Sequence, residues 1–180
     1  MRPLDPHQRM YLWIERIVIG ENLCPFAKPS IKAGRFDLRI SEAPTLEKAY
    51  IDALNYLEWF LQAESESLDS ALLVFPHTLT DFEDYLDCLD ALEGAIEELS
   101  LEGIIQLASF HPKYVFDGEP ADDQAHWTNR APLPAIHLLR EERVSEVLDQ
   151  VSHPEKIPRR NIGHLRSLSL DQLKALFSDL

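Results

Sequence analysis

Three residues carry side chains suited to covalent or proton-transfer chemistry: Cys24 in "NLCPFAK", His111 in "ASFHPK" and His137 in "PAIHLLRE". An imidazole titrates near neutral pH, so His111 or His137 can act as a general acid or base, or ligate a metal. Cys24 precedes Pro25. If that proline opens a short helix, Cys24 is its N-cap, where the helix dipole favours the thiolate and creates a nucleophile. The plainer alternative is a buried, inert thiol, because cysteine packs as a small hydrophobe. A histidine within an apolar strand, as His137 is, more often bonds a neighbour in the core than catalyses.

Thr128, Asn129 and Arg130 add a hydroxyl, an amide and a guanidinium in consecutive positions, a set that suits a carboxylate or a phosphate. The same donors serve equally well to hold loop carbonyls. Arg140 is a further candidate for the ligand, although it lies at the other end of the strand that Arg130 precedes. His77 is as well explained by turn chemistry as by function. His7, His126, His153 and His164 occupy polar contexts and are expected at the surface. Cys88 lies on an amphipathic helix and is read as structural.

The elements that position these residues read as an α/β alternation. Asp5 and Pro6 open a helix in which Met10, Trp13, Ile14, Ile17 and Val18 recur at helical spacing, with Gly20 as a stop. "ENLCPFAKPS" is a loop between prolines. Phe36, Leu38 and Ile40 alternate with polar residues as a half-buried strand should. Thr45 caps a helix with one stripe from Leu46 to Leu61, and "ALLVFP" is a strand apolar throughout, as expected when both faces are covered. Thr80 and Glu83 have capping-box spacing before a helix rich in acid on its outer face. "IIQLASF" and "AIHLL" are the third and fourth strands, followed by a helix over "RVSEVLDQVSHP". Ser169 and Gln172 cap a last helix after a linker at 155–168.

Between the third and fourth strands, residues 111–134 show no periodicity and contain four prolines. Connections in compact domains usually run to ~4–6 residues, so a loop this long is expected to be functional. The expectation is a single-domain α/β sandwich over 1–180 with an approximately four-stranded mixed sheet. The first three strands run parallel through right-handed crossovers, and the fourth runs antiparallel beside the third. Ligands of such sheets sit beyond the carboxyl ends of the parallel strands. That rim would receive His77, His111, the Arg130 loop and the start of the His137 strand.

At 180 residues, 45% hydrophobic and 27% charged, the chain is ordinary for a globular domain. Its net charge of −14 opposes binding to phosphate backbones, so a nucleic-acid partner is not expected. The first apolar run is broken by Glu15 and Arg16 and lacks a cleavage pattern. Neither a secretory signal nor a membrane span is expected, and the cytoplasm is the expected compartment. Two cysteines imply no disulfide framework. No phosphate-binding glycine loop, dinucleotide fingerprint or serine-nucleophile elbow occurs, and no zinc or iron ligand spacing.

Taken together, "VIGENLCPFAK", "FHPKYVFDGE", "HWTNRAPLPAIHLLREERV" and "IPRRN" resemble the bacterial and plant family named domain of unknown function fourteen-fifteen, over nearly the whole chain. Members often read Asn-Tyr-Thr-Asn-Arg-Ser-Pro-Tyr-Pro where this chain has His126 to Pro134, so a family hydroxyl is lost at Ala131. The resemblance marks Cys24, Pro25, His111, Pro112, Thr128, Asn129, Arg130, His137, Arg140 and Asn161 as motif positions and implies no activity.

The leading expectation is a small soluble enzyme, a hydrolase or transferase, acting on an anionic small molecule. Arg130, Asn129, Thr128 and Arg140 would hold the anion, His111 and His137 would move protons, and Cys24 would be the nucleophile, with Cys24, His111 and Arg130 around one pocket. The rivals are a transition-metal- or haem-binding module, since Cys-Pro recurs in haem-responsive proteins, and a non-catalytic interaction domain. Cofactor identity and oligomeric state are not legible.

Overall fold

A computed structural model describes residues 3–180. These residues form a four-stranded mixed sheet: β1 (Phe36–Ile40), β2 (Ser70–Val74), β3 (Ile105–Phe110) and β4 (Ala135–Arg140), in the order β1-β2-β4-β3. β1 and β2 are parallel, and β4 is antiparallel to both β2 and β3. The first three strands therefore share a direction, as expected. β4 inserts between β2 and β3 instead of extending the sheet at an edge, so it is paired on both sides. β2 is buried at every position, which accounts for its unbroken apolar sequence.

One face of the sheet is covered by α3 (Leu46–Gln62) and α4 (Phe82–Glu98), whose Ala53, Leu57, Phe60, Leu89 and Leu92 pack on Ala71, Leu73, Ile136 and Leu138. The acid of α4 faces water, with Asp84, Asp87, Asp90, Glu93 and Glu97 all exposed. Its N-cap is Asp81, which accepts the Glu83 N–H, so the cap lies one residue beyond Thr80.

The other face is covered by the amino-terminal helix and two carboxy-terminal helices, through Met10, Trp13, Ile17, Leu165 and Leu173 against Leu38, Leu72 and Val74. α1 (Pro6–Trp13) begins with a capping box between Asp5 and Gln8, then widens into a π-helical segment, Ile14–Ile19. Such widened turns frequently mark functional sites. Gly20 closes it: a Cβ there would collide with the Arg16 carbonyl oxygen. Next comes α2 (Ala27–Lys32), a short helix that begins within the segment expected to be loop.

The carboxy-terminal third departs from expectation. α5 (Glu141–Leu148) starts directly at the end of β4. The stretch expected as a linker is mostly helical: a 3-10 turn, Pro154–Lys156, and then α6 (Ile157–Ser167). Pro158 sits in its first turn, where a missing N–H costs nothing, and Ile157, Asn161, Ile162 and Leu165 face inward. α7 (Leu170–Leu176) has the Ser169–Gln172 capping box. No described helix is long and apolar enough to cross a membrane.

Candidate functional site

The long loop is ordered by its own polar side chains. Asn129 donates from Nδ2 to the Ser109 carbonyl at 3.0 Å, and its backbone carbonyl accepts the His111 N–H. The Thr128 hydroxyl donates to the Ala125 carbonyl at 2.8 Å, with Asn129 Oδ1 a second acceptor at 2.9 Å. Arg130 stacks on Trp127, its guanidinium carbon 4.9 Å from the ring centre, and donates from Nε to the Tyr114 carbonyl. His126, expected at the surface, is fully buried, where Nδ1 accepts the Phe116 N–H and Nε2 donates to the Pro120 carbonyl at 2.7 Å.

His111 is built in the same way. It is fully buried; Nδ1 accepts the Lys113 N–H at 3.0 Å, which leaves the proton on Nε2 to be donated to the Leu79 carbonyl at 2.9 Å. Both nitrogens are used, and the ring packs on Phe82 and Tyr85 of α4. Burial holds its pKa below the ordinary histidine value, with the Leu79 bond opposing the shift. Tyr85 ties the same corner together, donating to the Ala135 carbonyl and accepting the Phe110 N–H. His77 is exposed beside Glu42.

Arg140 does not face a ligand site. It is buried, and its guanidinium donates to the carbonyls of Phe60, Ala63 and Leu68 at 2.6–2.8 Å, capping the end of α3. That is the opposite rim from Arg130, so the structure removes Arg140 from the anion-holding set: its donors close a helix end whose carbonyls would otherwise be orphaned.

His137 is different. It stands opposite Leu72 of β2 and Ala108 of β3, and cross-strand partners share a face, so its ring lies on the α1 side of the sheet, away from His111. Phe36 meets it edge-on at 6.1 Å between ring centres, and Phe110 lies at 6.4 Å. Its Nε2 is buried without a hydrogen-bond partner among the described residues. The surface the residue retains borders a pocket of about 60 Å³, lined by the π-helical segment's Ile14 and Val18, by Trp13, Ile31, Phe36 and Phe110, and by Cys24. Burial lowers the His137 pKa to about 4, so the ring is neutral at physiological pH.

Cys24 borders this pocket and two others. One is a groove of about 380 Å³ whose walls include Thr128, Asn129 and Asn161; the other is a cleft of about 570 Å³ with Asn22, Lys28 and Lys32. Its backbone N–H reaches the Val18 carbonyl at the end of the π-helical segment. The residue before it is clamped by α6, where Asn161 Nδ2 donates to the Leu23 carbonyl at 2.6 Å, and His164 lies 2.6 Å from Glu21. Asn161, a motif position with no role assigned from sequence, thus positions Cys24. The N-cap expectation is corrected: α2 starts at Ala27 with Phe26 as its N-cap, and burial pushes the Cys24 thiol pKa up, only partly offset by the backbone of Phe26 and Ala27.

The structure therefore brings together Cys24 and His137 in one pocket, and Cys24, Thr128 and Asn129 in the adjoining groove. It does not bring His111, Arg130 or Arg140 to Cys24. Arg130 lines a separate pocket with Arg9 and Phe177, and His111 lies against the opposite face of the sheet. Val18, Lys28, Lys32 and Asn161 were not among the site residues expected from sequence; the widened turn ahead of Gly20 has no signature distinguishing it from an α-helix. Among the described residues, no group of three or more His, Cys, Asp or Glu side chains is arranged to hold a metal ion.

Comparison with curated proteins and with solved structures finds no match. The model of the family described as "Protein of unknown function (DUF1415)" matches residues 6–175, with the Cys24 loop, the long loop, β4 and α6 all inside the matched span, and the chain belongs to that family.

Proposed function

We propose that this chain is a small enzyme, of hydrolase or transferase type, that acts on an anionic small molecule with Cys24 as nucleophile and His137 as its base. The observation that carries this reading is that His137, whose buried Nε2 has no hydrogen-bond partner among the described residues, lines the same pocket as Cys24. A buried polar group without a partner costs roughly 1–3 kcal/mol, and a fold keeps one where something other than stability needs it. Cys24 Sγ would bond to the electrophilic carbon of the substrate while Nε2 accepts the thiol proton; the bond to the leaving group breaks, and Nε2 returns that proton to it. Lys28 and Lys32, in the cleft beyond Cys24, supply positive charge for the anion on a chain of net charge −14.

Alkylation of Cys24 by iodoacetamide tests the pair. The expected result at pH 7 is a rate on the order of tenfold or more higher in the wild type than in His137→Gln, since a positioned base assists proton removal. Cys88, pushed up to about 11 by burial alone, serves as the internal reference. Equal Cys24 rates in the two proteins contradict the reading.

A second reading, a non-catalytic interaction domain, is favoured by the loop in which Thr128, Asn129 and Arg130 all bond to backbone or to each other. It expects Arg130→Ala to lower stability and Cys24 reactivity to be independent of His137.

A further inference from the structure

We infer that the pocket between Cys24 and His137 is a binding site for a short aliphatic carboxylic acid or its acyl derivative, with the alkyl tail inside and the carboxyl end at Cys24. This rests on the reading that Cys24 and His137 form the site, and adds what the site accepts. The walls are mostly apolar, with Trp13, Ile14, Val18, Phe36 and Phe110 beside Ser70, and His137 completes them with a buried Nε2 that has no partner among the described residues. An apolar interior rejects a charged head, because a desolvated ion without a partner is too costly, and it attracts a hydrocarbon tail. The charge must stay outside, where Cys24 borders the cleft of Lys28 and Lys32 and the groove of Asn129 and Asn161.

Size sets the length of the tail. The pocket holds about 60 Å³, whereas a cavity that accepts benzene is roughly 150 Å³. Two to three carbons beyond the carboxyl therefore fill it, and a six-membered ring does not fit. The head group follows from the same argument: a carboxylate, carrying one charge, is less costly than a phosphate dianion to bring up to a wall made of Val18 and Leu23.

The test is protection of Cys24 from iodoacetamide by acetate, propionate, butyrate, octanoate, benzoate and butyl phosphate at matched ionic strength, with the melting temperature as a second readout. Protection is expected to rise about fourfold per methylene from acetate to butyrate and to fall for octanoate and benzoate, with butyl phosphate weaker than butyrate. In Phe36→Ala the optimum moves to longer acids; if that variant does not fold, the wild-type series decides alone. Protection that is absent from both readouts, flat with chain length, or still rising at octanoate overturns the inference, and stronger protection by butyl phosphate overturns the carboxylate head. Alkylation that depends on His137 without protection by any acid refutes this inference and leaves the catalytic pair standing. Alkylation indifferent to His137 refutes the pair itself.

Discussion

His111, just past the end of β3, and His137, within β4 beside it, differ in what meets their ring nitrogens. At the His111 corner both ring nitrogens are bonded: Leu79, Lys113, Asn129 and Tyr85 close a network of backbone and side-chain bonds. In the His137 pocket the nearest neighbours are aromatic and aliphatic, and Nε2 has no partner among the described residues. Both histidines are neutral because burial disfavours the charged form. The lesson is that burial and a lowered pKa do not distinguish these two histidines, whereas the hydrogen-bond inventory does. The same contrast divides the arginines and amides: Arg140, Asn129 and Arg130 bond to backbone carbonyls, and Asn161 holds the loop that presents Cys24.

The largest effect that separates the two regions is expected from His111→Phe. It strands the buried Leu79 carbonyl and loosens the part-buried Lys113 N–H, and is expected to cost about 3 kcal/mol, most of it from the carbonyl. Urea unfolding reads this as a lower midpoint at unchanged slope, and a loss under 1 kcal/mol would place His111 among the unbraced residues.

Acid comes next. Unfolded His137 takes up its proton near pH 6.5, and the folded residue resists until about pH 4, so below pH 6.5 the unfolded state binds more protons. Stability is therefore lost as pH falls from 6.5 to 4, by about 3 kcal/mol for this residue, and does not change on its account above 6.5. His111 titrates in the same direction. A plot of unfolding free energy against pH should thus be shallower in His137→Leu than in the wild type by that amount; parallel plots would mean that His137 is not held neutral by burial.

The smallest effect has the opposite sign. His137→Leu replaces an unsatisfied polar atom with hydrocarbon and is expected to stabilise the fold near pH 7 by about 1 kcal/mol, raising the melting temperature by ~2–4 °C. Destabilisation there would mean that His137 has a structural bond after all. A stabilised variant that no longer alkylates readily at Cys24 is the signature of a residue kept for reactivity at a cost in stability.

Much of the scaffold was legible from local rules. Asp5, Thr45 and Ser169 cap the helices they were expected to cap, the apolar run at 71–74 is the fully buried strand, and β4 runs against β3. The insertion of β4 beside β2 was not legible, because pairing between residues some 65 positions apart leaves no local pattern. α6 was hidden by its polar surface and by Pro158 and Gly163, since its inward face offers only Ile157, Ile162 and Leu165 among polar neighbours. The candidate residues were chosen by type, and the structure groups them differently. His111 and His137 both lie near one rim in sequence terms, yet pleating sends their rings to opposite faces. Whether a ring nitrogen is satisfied depends on backbone groups such as the Leu79 carbonyl, which carry no sequence signal.

The most direct measurement is the ¹⁵N spectrum of the histidine rings as a function of pH, before and after alkylation of Cys24. The account predicts that His111 remains a fixed Nε2–H tautomer in both forms, while His137 stays neutral down to about pH 4 and its ring nitrogens shift when Cys24 is modified. A His137 that titrates near 6.5, or that is indifferent to modification of Cys24 while His111 responds, would contradict it.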